Sequence, residues 1–414
     1  MATVDLTSEY QAGGGSLSMQ LRLGQVVYTL TQFPTIKSVR FQLDGAPVNV
    51  FSSEGIVLDH PVGRSAYKQL APNAAPVAGT WRLLPRAPLA VEQGPTGAWT
   101  GSQLIVFGRH EITARDVRGN PYIVKSVDVA AAYDPAADAW HRLALPAGPG
   151  YNPNDSAVWT GSKLLVFGPL GSVAFDPKSD KWQPLARGLQ GLVVWTGHEA
   201  IGWGGGCCGD IISTGDAYDP ATNAWRRLPK SPLAGSQHPI GAWTGRELVL
   251  FGDTRSAAYV PATNAWRTIA PIPAPRDGAN VVWDGTEVLV VGGGAAGGRQ
   301  LPASGFAYDP ATNRWRRLPP MESGRAGAAA VWTGKRLLLW GGGTGRAGSL
   351  VAPPHGLAYD PQTNAWSPLP QAPLQGRLNP AAAWTGHALI VWGGSRFGAG
   401  KPFADGAAFT PATP

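Results

Sequence analysis

The stretch VWTGKRLLLWGGG, residues 331–343, followed by LAYDPQTNAW, residues 357–366, holds the pattern that decides the fold. Each half is an apolar run closed by turn residues: Trp-Thr-Gly and Gly-Gly in the first, Asp-Pro-x-x-Asn in the second. The same grammar recurs along the chain. Trp followed by Thr or Asp and then Gly stands at Trp99, Trp159, Trp195, Trp243, Trp283, Trp332 and Trp384. These seven copies bracket six intervals, a mean repeat of about 48 residues, which suits four-stranded propeller blades. A Tyr-Asp-Pro-like tract follows the first six, ending at Trp140, Trp182, Trp225, Trp266, Trp315 and Trp366.

The seventh copy stops at AAFTPATP without a Trp, while GTWRLLP, holding Trp81, precedes the first. The sequence therefore predicts that the N-terminal strand around Trp81 pairs with the strand around Phe409, supplies the outer strand of the last blade and closes the ring. Closure leaves no free sheet edge around the circle. The expected fold class is mainly β: a seven-bladed propeller over residues 79–414, a Pro/Ala-rich linker at 71–78, and a small α+β module at 1–70. In that module ATVDLTSEY alternates as a strand does. Leu17, Leu21, Leu23, Val27, Leu30 and Phe33 follow near-helical spacing until Pro34, and Asp44-Gly45 marks a hairpin turn.

Composition fits this reading. The 414 residues are 43% hydrophobic and 15% charged, with 55 Gly, 38 Pro and 17 Trp, so aliphatic runs and turns alternate throughout. No apolar stretch reaches the roughly 20 residues of a membrane span, and no signal-peptide layout opens the chain. The formal charge of +7 favours anionic partners, but the arginines are scattered and form no basic block, which argues against nucleic acid.

The Gly-Gly pairs, the Tyr-Asp-Pro tracts and the spaced Trp resemble kelch repeats. VDLTSEY, LRLGQVVYTLTQFPTIKSVRFQLDG and RSAYKQL resemble the C-terminal half of the GerMN (sporulation and spore germination) domain of bacterial envelope proteins and lipoproteins. That resemblance implies a first half-module and an export signal upstream of Met1. It implies an extracellular or cell-envelope location, with a membrane reached only through such an upstream anchor. Kelch propellers of the galactose-oxidase type are copper enzymes that use a Cys-bonded Tyr, a second Tyr and two His. His110, His238 and His355 come from different blades here and neither Cys matches, so an oxidase is disfavoured.

The only two cysteines, Cys207 and Cys208, are adjacent in a glycine-rich loop of blade 3. No CxxC, HxH or HExxH accompanies them, so neither a metal nor a cofactor is expected. In an exported protein they make a candidate vicinal disulfide; otherwise they sit reduced in a stiff loop.

Counting seven residues back from each Trp-Thr-Gly Trp gives Arg276, Arg325 and Arg377 in blades 5 to 7, with Glu92 and Asn152 at the same place in blades 1 and 2. His238 lies close by in blade 4. The register puts three guanidinium forks along one arc at the channel mouth, where they suit an anionic ligand. The competing reading has each Arg paired with a neighbouring carboxylate, such as Asp277 or Glu322, or capping backbone carbonyls between blades. Two functions remain open. One is a non-catalytic binding or scaffold protein of the cell envelope, with a partner protein or anionic envelope ligand on the propeller face. The other is an enzyme on saccharides or envelope components, which would need an acid/base pair at the same mouth.

Overall fold

The computed structural model describes residues 1–412 apart from 12–15, 32, 34, 49, 52–55, 59, 65, 68–75, 90–92, 119–120, 146–155, 169–170, 207–209, 296–300, 347–348 and 397–401. The chain divides into two compact units, Met1–Pro76 and Val77–Pro414. In the first, strand Ala2–Leu6 pairs in parallel with Val39–Leu43. Helix Ser16–Leu30 buries Met19, Leu23 and Val27 against Val39, Phe41, Leu58, Val62 and Tyr67. Asp44 and Gly45, both with positive φ, make the two-residue hairpin turn to Ala46–Pro47. Phe33, placed on the apolar face by its spacing, lies beyond the helix end and is exposed.

The second unit is mainly β and holds seven blade sheets among the described residues: six have four strands, and the sixth blade adds a fifth, Ser349–Val351, to its four-strand path. In blade 4, Ile240–Trp243, Leu248–Phe251, Ser256–Val260 and Ala265–Ile269 follow one another antiparallel from the inner strand outward. The inner strands touch in a ring, the seventh, Ala381–Trp384, lying against the first, Gln93–Trp99. The last blade takes its outer strand from Gly79–Leu83, with Trp81 opposite Phe409 in the register the sequence predicts. The propeller begins slightly earlier than this strand, since the Val77 N–H donates to the Pro368 carbonyl at 2.9 Å.

Turn chemistry explains the repeat. Gly101, Gly161, Gly197, Gly245, Gly285, Gly334 and Gly386 all have positive φ, as do Asn223, Asn264, Asn313 and Asn364 in the next turn. The residue before each Gly supplies a side-chain oxygen: Thr196 Oγ1 accepts the Glu199 N–H at 2.9 Å, and Asp284 Oδ1 accepts that of Glu287 at 2.7 Å. Thr and Asp interchange there because both offer that acceptor.

Blades are latched to one another by the outer strand. The indole N–H of Trp140, Trp266, Trp315 and Trp366 donates to a carbonyl just past the preceding outer strand, at Pro85, Pro229, Ala270 and Pro319, within 2.9–3.0 Å. Trp81 does the same to Pro370 at 2.9 Å, so the closing strand is held as the others are. Arg226 adds a second latch: it pairs with Glu199 of its own blade and donates to Tyr259 and Asn264 of the next. Arg316 repeats this with Glu287, Tyr359 and Asn364, and Arg82 reaches Tyr133 and Asp138 across the closure.

Candidate functional site

Strand alternation sorts the connections onto two faces. Each inner strand ends at a Trp-Thr/Asp-Gly turn, so this turn and the Asp-Pro-x-x-Asn turn lie on one face, the turn face. The second-to-third-strand loops and the inter-blade connections lie on the other, the loop face, to which Arg276, Arg325, Arg377 and His238 belong.

Arg276, Arg325 and Arg377 occupy equivalent places, as the spacing predicts, but all three are buried. Arg325 Nη1 donates to the carbonyls of Gly341 at 2.8 Å and His355 at 2.9 Å, while Nη2 pairs with Glu322 at 2.9 Å. Arg377 Nη1 reaches the Gly393 carbonyl at 3.1 Å and the Asp405 carboxylate at 2.7 Å, and its plane stacks 4.0 Å over Phe403. Arg276 donates to the Gly292 carbonyl at 3.4 Å and to Ser304 Oγ at 2.9 Å. Burial pushes each guanidinium below its ordinary range, opposed by Glu322 at Arg325 and by Asp405 at Arg377.

Each of these arginines thus caps the Gly-Gly carbonyl that ends its own blade's second strand. The Arg325 and Arg377 carbonyls in turn accept the N–H of Gly293 and Gly342 from the preceding blade, at 2.8 and 2.9 Å. The second strand must approach closely here. At Gly341, with φ of 68°, a Cβ would stand 2.8 Å from the Arg377 carbonyl oxygen. This differs from the expectation of open forks at the channel mouth: all three guanidinium groups are buried and donate to backbone carbonyls, with Glu322 beside Arg325, Asp405 beside Arg377 and Ser304 beside Arg276.

His238 is on the loop face, with Nδ1 3.9 Å from Asp277 and both side chains largely exposed. Glu92, Asn152, Cys207 and Cys208 lie outside the described residues. One pair escaped the sequence reading: His355 Nε2 stands 2.7 Å from Glu322. Burial raises the Glu322 carboxyl, but His355 and Arg325 outweigh it and hold the group below its usual range. Its carboxylate is therefore kept ionised and shared between a loop histidine and a buried guanidinium.

What distinguishes the loop face is apolar exposure. Ten large apolar side chains are exposed among the described residues, and seven of them, Ile112, Val117, Tyr122, Ile123, Val124, Ile211 and Val351, sit in second-to-third-strand connections. Clustered exposure of this kind marks interaction surfaces. The signal was present in the sequence: PYIVKSVDV in blade 1 carries more β-branched residues than one short blade strand needs. Among the described residues no three His, Cys, Asp or Glu converge as a metal site, and no helix is long and apolar enough to cross a membrane.

The kelch motif matches residues 202–232 and 275–322, two stretches of blade-forming sequence. The propeller is of the kelch type. The sporulation and spore germination (Germane) family matches residues 1–49. Among solved structures, a fungal alcohol oxidase of the AA5 family in complex with copper shares the fold at a TM-score of 0.60 and 14% identity, over 81% of this chain and 76% of that one. YjhT matches at a TM-score of 0.47 and 17% identity, over 78% of this chain and 95% of that one. No curated protein matches the chain in sequence.

Proposed function

We propose that the kelch chain is a non-catalytic binding or scaffold protein of the bacterial cell envelope that takes a partner on its loop face. The observation that carries the reading is the concentration of exposed apolar side chains in the loops of that face. The envelope setting is supported by the match of residues 1–49 to the sporulation and spore germination family. Attraction to an anionic partner is supported by the net charge of +7, without Arg276, Arg325 and Arg377 as its contacts.

The Glu322–His355 pair favours a second reading, an enzyme on saccharides or other envelope components. His355→Ala with unchanged partner capture would set that pair aside from binding. The oxidase reading stays disfavoured on sequence grounds, because His110, His238 and His355 come from different blades and neither Cys matches the pattern.

A photo-crosslinking side chain placed at Ile211 or Val351 in cells should give discrete partner adducts, whereas the same probe at Lys335 or Thr286 on the turn face should give none. Adducts from the turn face alone would overturn the proposal.

A further inference from the structure

Among the described residues blade 1 carries the longest arm; blade 6 has a shorter one, in which Thr344–Arg346 pairs with Ser349–Val351. The second and third strands of blade 1, Leu104–Arg115 and Pro121–Asp134, run for 12 and 14 residues, against 4 and 5 in blade 4. At about 3.3 Å per residue, eight extra residues carry the hairpin some 25 Å past the length a blade needs. Ile112, Val117, Tyr122, Ile123 and Val124, half of the exposed large apolar side chains among the described residues, are on this one arm. A folded chain has no reason to expose five such groups together unless something else covers them.

The register shows which kind of medium fits. Tyr122 lies opposite Ala114 and Ile123 opposite Thr113, so consecutive apolar side chains go to opposite faces of the ribbon, and Val117 stands at the turn. A protein groove covers one face of a ribbon; a fluid apolar layer covers both faces at once. Arg115, Arg118 and Lys125 are exposed at the same level. The exposed carboxylate among them, Asp116, accepts the Arg118 N–H at 2.9 Å. At the arm's base Arg109 and Asp128 pair at 3.6 Å. Beyond that pair Arg115, Arg118 and Lys125 stand against Glu111 and Asp116, an excess of one positive charge. An apolar tip bearing a tyrosine, with arginine and lysine beside it, is the composition that settles at the boundary of headgroups and acyl chains.

We infer that the blade 1 arm is a membrane-contacting finger that inserts its apolar tip into the surface of a bilayer rich in anionic lipid. The inference rests on the binding reading of the loop face and gives the arm's share of it a chemical identity. It makes the propeller itself a membrane contact, independent of any anchor elsewhere in the protein.

Co-sedimentation of the full chain with vesicles of phosphatidylcholine containing phosphatidylglycerol, and with phosphatidylcholine alone, tests it. The chain should bind the anionic vesicles and only weakly the neutral ones. Tyr122→Ser/Ile123→Ser/Val124→Ser should lower the partition at least about tenfold at unchanged melting temperature, since some 0.8 kcal/mol is lost per buried methylene. Arg118→Gln and Lys125→Gln should each lower it about fivefold, an effect that added salt removes. Absence of binding at low salt, or equal binding by the triple variant, would overturn the inference. So would light scattering that shows a wild-type dimer and a monomeric triple variant, or a protein adduct at position 122 as strong with vesicles absent as present. Adducts at Ile211 and Val351 test the loop face apart from the arm, so failure of the arm and failure of the binding reading are told apart.

Discussion

The turn face and the loop face of this propeller follow opposite rules. On the turn face every blade has Gly at positive φ after a Thr or Asp oxygen that accepts a backbone N–H, and blades 3 to 6 add an Asn receiving the hydroxyl of a tyrosine, as Tyr259 donates to Asn264 at 2.7 Å. On the loop face the blades differ, from a four-residue return between Phe251 and Ser256 in blade 4 to the long arm of blade 1. Uniformity on one side holds the ring together, and variation on the other is where the chain can be specific. The difference teaches that a shared register does not mean a shared role: Arg276, Arg325 and Arg377 are on the variable face yet belong to the framework, because each donates to the Gly-Gly carbonyl of its own blade.

Removing Gly79–Leu83 should have the largest effect. It strips the partner from Gly406–Pro411 and breaks both the Trp81 and the Arg82 latches, leaving an open sheet edge. The expected outcome is loss of cooperative thermal unfolding and aggregation of the product, while deletion of residues 1–70 leaves the propeller's melting transition in place. A closing-strand deletion that melts like wild type would show that the ring does not depend on its velcro.

Arg325→Ala should come next, at about 2–4 kcal/mol in denaturant unfolding, because it leaves two carbonyls without their donor and Glu322 with His355 as its remaining partner. Arg276→Ala should cost less, about 1–3 kcal/mol, since no carboxylate is left behind. Equal losses would mean that carboxylate pairing adds nothing to the cap.

A smaller effect is expected across the closure. Hydrogen bonds from Tyr133 and Arg82 hold the Asp138 carboxyl below its usual range. A carboxylate with a lowered folded-state pKa stabilises above its unfolded-state value, and that stability is lost as pH falls through the folded-state value. Most other blades use Asn at this turn position, as Asn223, Asn264, Asn313 and Asn364 show. Asp138→Asn should therefore shift stability by less than about 0.5 kcal/mol at pH 7 and flatten the acid decline below about pH 4, read as melting temperature against pH. An unchanged acid slope would show that the latch does not titrate.

The smallest effect on stability belongs to the loop face. Ile211→Ser and Val351→Ser should each change unfolding by less than about 0.5 kcal/mol, because both side chains are exposed. A larger loss in either would assign that side chain to the fold and remove it from the binding surface.

Blade number, ring closure and the Trp81–Phe409 pairing were legible in the sequence because turns leave fixed residues at fixed intervals. The direction of Arg325 was not legible: its seven-residue offset from Trp332 sets where the backbone is, whereas its burial depends on the Gly341 and His355 carbonyls, which carry no side-chain signature. The Glu322–His355 pair escaped for a related reason, since it joins two connections 33 residues apart. Glu199 and Arg226 carry no sign of their pairing in the sequence, because their latch to Tyr259 and Asn264 exists only once two blades stand side by side.

Hydroxyl-radical footprinting of the protein in intact cells against the purified chain tests the division of the two faces most directly. The account predicts protection in cells at Tyr122, Ile211 and Val351, with His198, Lys335 and the other exposed positions of the turn face oxidised equally in both. Protection of the turn face, with the loop face oxidised as fast in cells as in isolation, would contradict it.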